Sequence, residues 1–424
     1  MTEEIKARIE SIRKGEIPKG YCYTKDIGVA PVDWKLGKLS DIIENILRPV
    51  PKPAKPYWRL GIKSWAKGTF HAFVDDPETV DMDELYEVKE NDLIVNITFA
   101  WEHAIAIAKK EDEGLLVSHR FPTYVFKDGQ IPEYYQAVIS QQYFKDMLDH
   151  ISPGGAGRNR VLNRKDFLNL PCYIPSLVEQ RKIAEVLSTC DRVIELKQQL
   201  LAEKRKQKQW LMQVLLDPDS GVRLPGFENS TWRETPLSTL CKFVGGGTPD
   251  TSNEDYWNGT IPWLSSSDLE YDNIRKVEAT RYITDNAIKN SATKLCPKNS
   301  ILIVTRVGVG KIAIAPFDLC TSQDFTNLMA VNGNLYFIAL QLKREIQRIL
   351  TMTQGTSIKG IASKEIKTMI INLPTKREQD AIAKILECFD REIVLLENEI
   401  QAWRQKKKAL MHLLLTGTIR IGGQ

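Results

Sequence analysis

The stretch from Pro175 to Leu216, PSLVEQRKIAEVLSTCDRVIELKQQLLAEKRKQKQWLMQVLL, recurs from Pro374 to Leu415 as PTKREQDAIAKILECFDREIVLLENEIQAWRQKKKALMHLLL, without a gap and at a constant offset of 199 residues. Identical pairs run through its length, among them Pro175/Pro374, Glu179/Glu378, Gln180/Gln379, Ile183/Ile382, Leu187/Leu386, Asp191/Asp390, Arg205/Arg404, Lys208/Lys407 and Leu215/Leu414. A repeat of this kind sets the plan of a chain before any single residue does. Each copy opens on a proline, holds no further proline and no glycine, and spaces its apolar residues alternately by four and three, which predicts a long helix. In the second copy the stripe is Ile382, Leu386, Phe389, Ile393, Leu396, Ile400, Trp403, Lys407, Leu410, Leu414; in the first, Lys197, Lys204 and Lys208 interrupt it. A narrow seam sustained in this way is a coiled-coil pattern, so the two helices are expected to pack on each other. The N-terminal half of each is acid-rich and the C-terminal half basic. Glu387, Glu392, Glu397 and Glu399 therefore lie near Lys204, Arg205, Lys206 and Lys208 only in an antiparallel pair. At 1.5 Å per residue, a helix of roughly 38 residues is about 57 Å long, a spacer rod.

Ahead of each rod lies a region with a fainter internal echo. Trp34-Lys35 and Leu39-Ser40 match Trp232-Arg233 and Leu237-Ser238, and Leu93-Ile94-Val95 matches Leu302-Ile303-Val304. Ile105-Ala106-Ile107-Ala108 matches Ile312-Ala313-Ile314-Ala315, and Ser118 and Phe121 match Ser322 and Phe325. Short β-type runs between turn residues indicate a mixed module with strands at its core. The expected class is α/β in the α+β sense: two similar mixed modules separated by two long antiparallel helices, in a pseudo-two-fold repeat. The expected boundaries are a first module over 1–173, a rod over 174–217, a second module over 218–372 and a second rod over 373–424. Trp34 and Trp232, repeated at the module starts, read as core anchors. Like scaffolds with unlike loops are the mark of one binding fold reading two targets.

Composition narrows the class. A chain of 424 residues is too long for one ordinary core. With 42% hydrophobic residues, a mean hydropathy of -0.28 and no long uncharged apolar stretch, it predicts no membrane span. The charged N-terminal stretch lacks a secretory pattern, so a cytoplasmic protein is expected. The seven cysteines are scattered singly, without the paired spacing of zinc ribbons or redox motifs, and the five histidines show no metal-ligand spacing. The net charge of +4 permits nucleic-acid binding, which depends on where the cations cluster. Gly308-Val309-Gly310-Lys311 fails as a Walker A loop because Thr305 and Ile312 hold its outer positions. No Asn-Pro-Pro-Tyr/Phe or Asp-Pro-Pro-Tyr/Phe tetrapeptide of an amino-methyltransferase is present, and Glu87-Val88-Lys89 is too common a pattern to mark a nuclease.

These features resemble the specificity subunits of Type I restriction-modification systems, over almost the whole chain. The most specific elements are the rod openings, Ile174-Pro175-Ser176-Leu177-Val178-Glu179-Gln180 and Leu373-Pro374-Thr375-Lys376-Arg377-Glu378-Gln379. Tyr57 to Trp65, Val117 to Tyr124, Gly246-Gly247-Thr248-Pro249, Ile261-Pro262-Trp263-Leu264 and Leu302 to Arg306 also look like family segments. The resemblance implies two target-recognition domains, each reading half of a split duplex DNA site, with the rods setting the gap. It also implies two methyltransferase subunits that hold S-adenosylmethionine and two motor-nuclease subunits that use ATP and magnesium. This chain is then a non-catalytic subunit that binds no cofactor and no metal of its own. Two rivals stand: the recognition subunit of a fused methyltransferase-nuclease, and an adaptor whose modules bind no DNA.

Candidate DNA contacts follow from loop chemistry. A small basic loop precedes each rod, with Arg158, Asn159 and Arg160 in the first and Gln354, Thr356, Ser357 and Lys359 in the second. Glycines there let a backbone approach a partner, and these side chains suit phosphates or base edges; an ordinary solvated connection is the bland alternative. Lys63, Trp65 and Lys67 combine cation and aromatic, and Arg120, Arg306 and Lys311 follow or end strand-like runs. The Lys-rich faces at 204–208 and 404–408 read first as solvated helix surface, with docking of partners as the alternative.

Overall fold

In the computed structural model, which describes residues 2–127, 129–154, 160–352 and 360–421, the repeat forms two unbroken helices, Leu177–Leu215 and Lys376–Leu415. No helix among the described residues is long and apolar enough to cross a membrane. The chain forms two compact units, Met1–Gln198 with Asn398–Gln424, and Gln199–Glu397. Each unit holds one module and half of each long helix.

Both modules are built on one sheet plan. In module 1 the strands lie in the order Ile105–Ile107, Leu93–Val95, Thr123–Phe126, Ile43–Ile46, all antiparallel. In module 2 the order is Ile312–Ile314, Ile301–Val304, Phe325–Met329, Lys242–Gly245, again antiparallel. A second sheet repeats too. Leu116–Val117 runs parallel to Tyr57–Ile62, which pairs with Thr69–Val74; Cys320–Thr321 runs parallel to Ile261–Leu264, which pairs with Arg281–Ile283. Module 1 extends this sheet by Glu84–Glu87 and Pro49–Pro51.

The hairpin strands Leu93–Val95 with Ile105–Ile107, and Ile301–Val304 with Ile312–Ile314, are apolar at every position because both of their faces are covered. Leu93, Val95, Ile105 and Ile107 pack with the helices of module 1, while Ile94, Ala104, Ala106 and Ala108 pack against Leu60, Ile62 and Val117 of the second sheet and Val88 just beyond it. In module 2, Ile301, Ile303, Ile312 and Ile314 join the helix side, and Leu302, Val304, Ala313 and Ala315 the sheet side. The match expected between Leu93-Ile94-Val95 and Leu302-Ile303-Val304 is thus one residue out. Ile105 pairs with Val95 and Ile312 with Ile303, so Leu93–Val95 corresponds to residues 301–303.

The long helices close each core. Ile183, Ala184, Leu187 and Leu414 lie in the core of module 1; Leu215, Leu216, Ile382, Ala383 and Leu386 lie in that of module 2. Within each unit the helix halves run antiparallel, as expected. Each seam lysine meets a carboxylate of the facing helix: Lys197 with Glu399 at 2.6 Å and Lys407 with Asp191 at 2.6 Å in one unit, Lys204 with Glu392 at 2.7 Å and Lys208 with Asp390 in the other. Arg205 reaches Glu397, while Glu387 pairs with Arg275 and Lys206 with Glu203 on its own helix.

The repeated Pro-x-x-x-Glu-Gln opening ties each rod to its module. Trp34 Nε1 donates to Glu179 at 2.9 Å and Trp232 Nε1 to Glu378 at 3.3 Å, which makes both tryptophans anchors. Gln180 donates to Pro175 O and accepts from Ile131 N, ahead of helix Pro132–Ile139; Gln379 donates to Pro374 O and accepts from Asn334 N, ahead of Leu335–Met352. One buried amide thereby satisfies the entrance of two helices.

Candidate nucleic-acid interface

The tip of the central hairpin gathers the loops of each module. In module 1, Ile97 N donates to Arg120 O at 3.0 Å, and Ile97 O accepts from Leu162 N at 2.9 Å. Glu102 O and His103 O accept from Trp65 N at 2.9 Å and Ala66 N at 2.8 Å. Three segments that are distant in sequence, around residues 65, 120 and 162, are thus bonded to one tip, residues 96–104.

Module 2 repeats the pattern. Thr305 N donates to Asp324 O at 2.8 Å, and Thr305 O accepts from Ile361 N at 2.8 Å. Arg120 N and Asp324 N are each received by a serine two residues back, Ser118 Oγ and Ser322 Oγ, both at 3.3 Å. Thr305 is therefore the counterpart of Ile97, Ile361 of Leu162, and Asp324 of Arg120: one scaffold carries opposite charges at one position. Gly360 has φ +152°, and a Cβ there would lie 2.8 Å from Thr305 O, so glycine is what lets the chain close on the tip.

The sequence candidates fall into three groups. Lys63, Lys67, Arg120 and Arg306 are exposed, and among the described residues their side chains make no hydrogen bond or ion pair. Trp65 is 60% exposed, with Lys145 Nζ over its ring at 5.1 Å. Arg160 and Lys311 are committed inside their modules. Arg160 donates to Ser152 O and Asp149 O, pairs with the Asp149 carboxylate at 2.6 Å and lies over Trp101; Lys311 donates to Ser266 O at 2.8 Å beside Tyr271. Arg158, Asn159, Gln354, Thr356, Ser357 and Lys359 lie outside the described residues. Their flanks, Leu162 and Ile361, enter the tips at equivalent bonds.

Sequence reasoning missed the tips themselves: Phe99 and Trp101 in module 1 and Val307, 71% exposed, in module 2. A usable signal was present, since aromatic or branched residues interrupt the short links between two strand-like runs. Trp65 and Ala66 hold left-handed φ values of 65° and 49°, which side chains other than glycine rarely adopt. Such backbone persists where its surroundings over-determine it, here through the bonds to Glu102 and His103. His103 is itself buried; its Nε2 donates to Ile139 O at 2.6 Å, and burial lowers its pKa below the ordinary imidazole value. Among the described residues no group of three or more His, Cys, Asp or Glu comes together to hold a metal ion.

Two modules of one fold, with loops gathered at tips that differ in charge and shape, define a recognition protein with two targets. A family model described as Type I restriction modification DNA specificity domain matches the chain twice, over residues 31–203 and 229–402. The chain belongs to that family. It is 25% identical over 423 residues to a putative Type I restriction enzyme MjaX specificity subunit of Methanocaldococcus jannaschii, covering 93% of this chain and 96% of that one. It is 30% identical over 252 residues to the EcoR124I/EcoR124II specificity subunit of Escherichia coli, covering 54% and 59% of the two chains. Its fold is similar to the solved HsdS subunit of Thermoanaerobacter tengcongensis, with a TM-score of 0.52, 17% identity and coverage of 95% and 98%.

Proposed function

We propose that this specificity subunit reads a split duplex sequence, one half per module, and directs partner subunits that carry the chemistry. In this reading the partners are two adenine-N6 methyltransferase subunits with S-adenosylmethionine, and two motor-nuclease subunits with ATP and magnesium. The chain itself supplies recognition and no catalytic group. The observation that carries the reading is the shared tip scaffold with unlike side chains, above all Arg120 against Asp324. Two readers of one sequence would have no use for that difference.

Lys63, Lys67, Arg120 and Arg306 are the proposed contacts to phosphate or base edges, because they are exposed cations left without internal partners. Arg160 and Lys311 act one step back, by holding the loops from which contacts are made. The glycine-flanked segments with Arg158, Asn159, Gln354, Thr356, Ser357 and Lys359 complete the proposed contact set.

The test is methylome sequencing of cells that express the chain with its methyltransferase, against cells with the methyltransferase alone. A two-part motif with N6-methyladenine in both halves, present only with this chain, is expected. No new motif despite an active methyltransferase would leave the chain as an adaptor without a DNA target.

A further inference from the structure

We infer that module 1 reads its half-site with an aromatic wedge, Trp65, which inserts against the base stack, and that module 2 has no such wedge. The inference rests on the DNA-reading assignment and concerns how that reading is done. An exposed indole on a flexible loop would be unremarkable surface, but Trp65 is fixed. Its own N–H and that of Ala66 are bonded to Glu102 O and His103 O, and both residues sit at left-handed φ. Ser64 Oγ donates to the Glu102 carboxylate at 2.7 Å, which pins the loop on the preceding side as well. Little conformational freedom remains for the Trp65 backbone to lose on binding, which favours an inserted anchor.

The surroundings fit a duplex. Lys63 and Lys67 flank the indole, exposed and without internal partners among the described residues, as phosphate ligands on either side of a wedge would be. Phe99, also exposed, lies on the tip to which the loop is bonded. Aromatic and apolar side chains at such sites stack on bases or part a base step and kink the helix.

The second module departs at this point. By sheet register Arg59 and Leu60 correspond to Trp263 and Leu264, so Trp65 corresponds to Leu269, which is buried in the core of module 2. Just before it Ser265 and Asp268 close on each other, with Ser265 N donating to the Asp268 carboxylate at 2.7 Å. Distortion of the duplex is therefore expected in one half-site only.

The experiment uses the chain assembled with its methyltransferase partner, and duplexes carrying the mapped site with 2-aminopurine at one position at a time, the methylated adenines and their neighbours excepted, because methyltransferases take their target base out of the stack in either half. Fluorescence should brighten within the half read by module 1 and stay quenched in the other. Trp65→Ala should abolish the brightening and weaken specific binding by roughly ten- to a hundred-fold, while Trp65→Phe keeps most of both. Methylation of the second half by Trp65→Ala would show that the chain still folds and assembles. Brightening that survives Trp65→Ala, equal brightening in both halves, or tight specific binding with no brightening anywhere would overturn the wedge and leave DNA reading intact. Loss of the methyltransferase from Trp65→Ala would also overturn it, by making the indole a protein contact. Absence of specific binding by the unaltered complex would instead strike the DNA-reading assignment itself.

Discussion

Glu179 and Glu378 occupy the same repeat position but should not have the same effect when removed. Glu179 is 3% exposed and accepts from Trp34 Nε1 at 2.9 Å and from Arg420 Nε at 2.7 Å and Nη2 at 3.0 Å. Glu378 accepts from Trp232 Nε1 at 3.3 Å and from the Ser230 hydroxyl, and among the described residues no guanidinium meets it. Glu179→Ala strands a buried indole N–H and breaks a largely buried ion pair. Breaking such a pair costs about 3–5 kcal/mol, and Arg420 keeps Asp33 at 2.8 Å, which places the loss at about 3 kcal/mol. Glu378→Ala loses one long bond and one hydroxyl bond, about 1–2 kcal/mol. The difference, about 1–2 kcal/mol, is roughly a tenfold difference in local opening. Hydrogen exchange on the intact chain reads it without assuming that so large a protein unfolds in one step. Peptides spanning Lys35–Lys38 and Pro171–Ile174 should lose more protection in Glu179→Ala than Arg233–Pro236 and Ile370–Leu373 lose in Glu378→Ala. Equal losses would refute the part given to Arg420, and so would an Arg420→Met background in which Glu179→Ala remains as costly.

Acid should loosen the Trp65 loop. The pKa of His103 is lowered by burial in the fold, so the unfolded state binds the extra proton and stability falls as pH drops below about 6.5; His103→Gln should flatten that slope in thermal melts from pH 7.5 to 5.5, and an unchanged slope would remove His103 as its source. Gly360→Ala places a Cβ 2.8 Å from Thr305 O at φ +152°; methylation should be lost with the second half-site altered and the first still bound, and full activity would show that the chain does not need to close on the tip there. Arg306→Ala, at an exposed cation, should lower the slope of log K against log salt by about one if it meets a phosphate, whereas relaxed base preference at one position of the second half would identify a base contact.

What was legible in the sequence, and what was not, follows from periodicity. The rods could be read because a seam repeats, and even the lysines that spoil the seam of the first helix find acids at the facing positions of the second. The register of the central strands could not. Leu93-Ile94-Val95 and Ile301-Leu302-Ile303-Val304 are apolar at every position because each face meets a different core, so the alternation that normally reports register is missing. Cations were legible as candidates, but not their use: Arg120 and Arg160 look alike in the chain, yet one stands in solvent and the other is held by Asp149 and Trp101. That distinction depends on how the chain folds back on itself, over 11 residues to Asp149 and on to the tip at Trp101, and the residue types around the two arginines do not carry it.

The bonds that assemble the tips have a common character. Ile97 to Arg120, Leu162 to Ile97, Trp65 to Glu102 and Ala66 to His103 in module 1, and Thr305 to Asp324 and Ile361 to Thr305 in module 2, all join main-chain N–H to main-chain carbonyl. Main-chain groups are present whatever the side chain, so the positions that hold the scaffold are not thereby committed to a residue type. Arg120 and Asp324 differ in charge while their carbonyls do the same work. A fold assembled in this way can exchange the side chains at its tip without loosening its loops, which is the physical condition for one architecture to read unlike half-sites. It also sets a limit: where the backbone itself must be unusual, as at Gly360 or at Trp65 and Ala66, a substitution acts on the scaffold and the reading together.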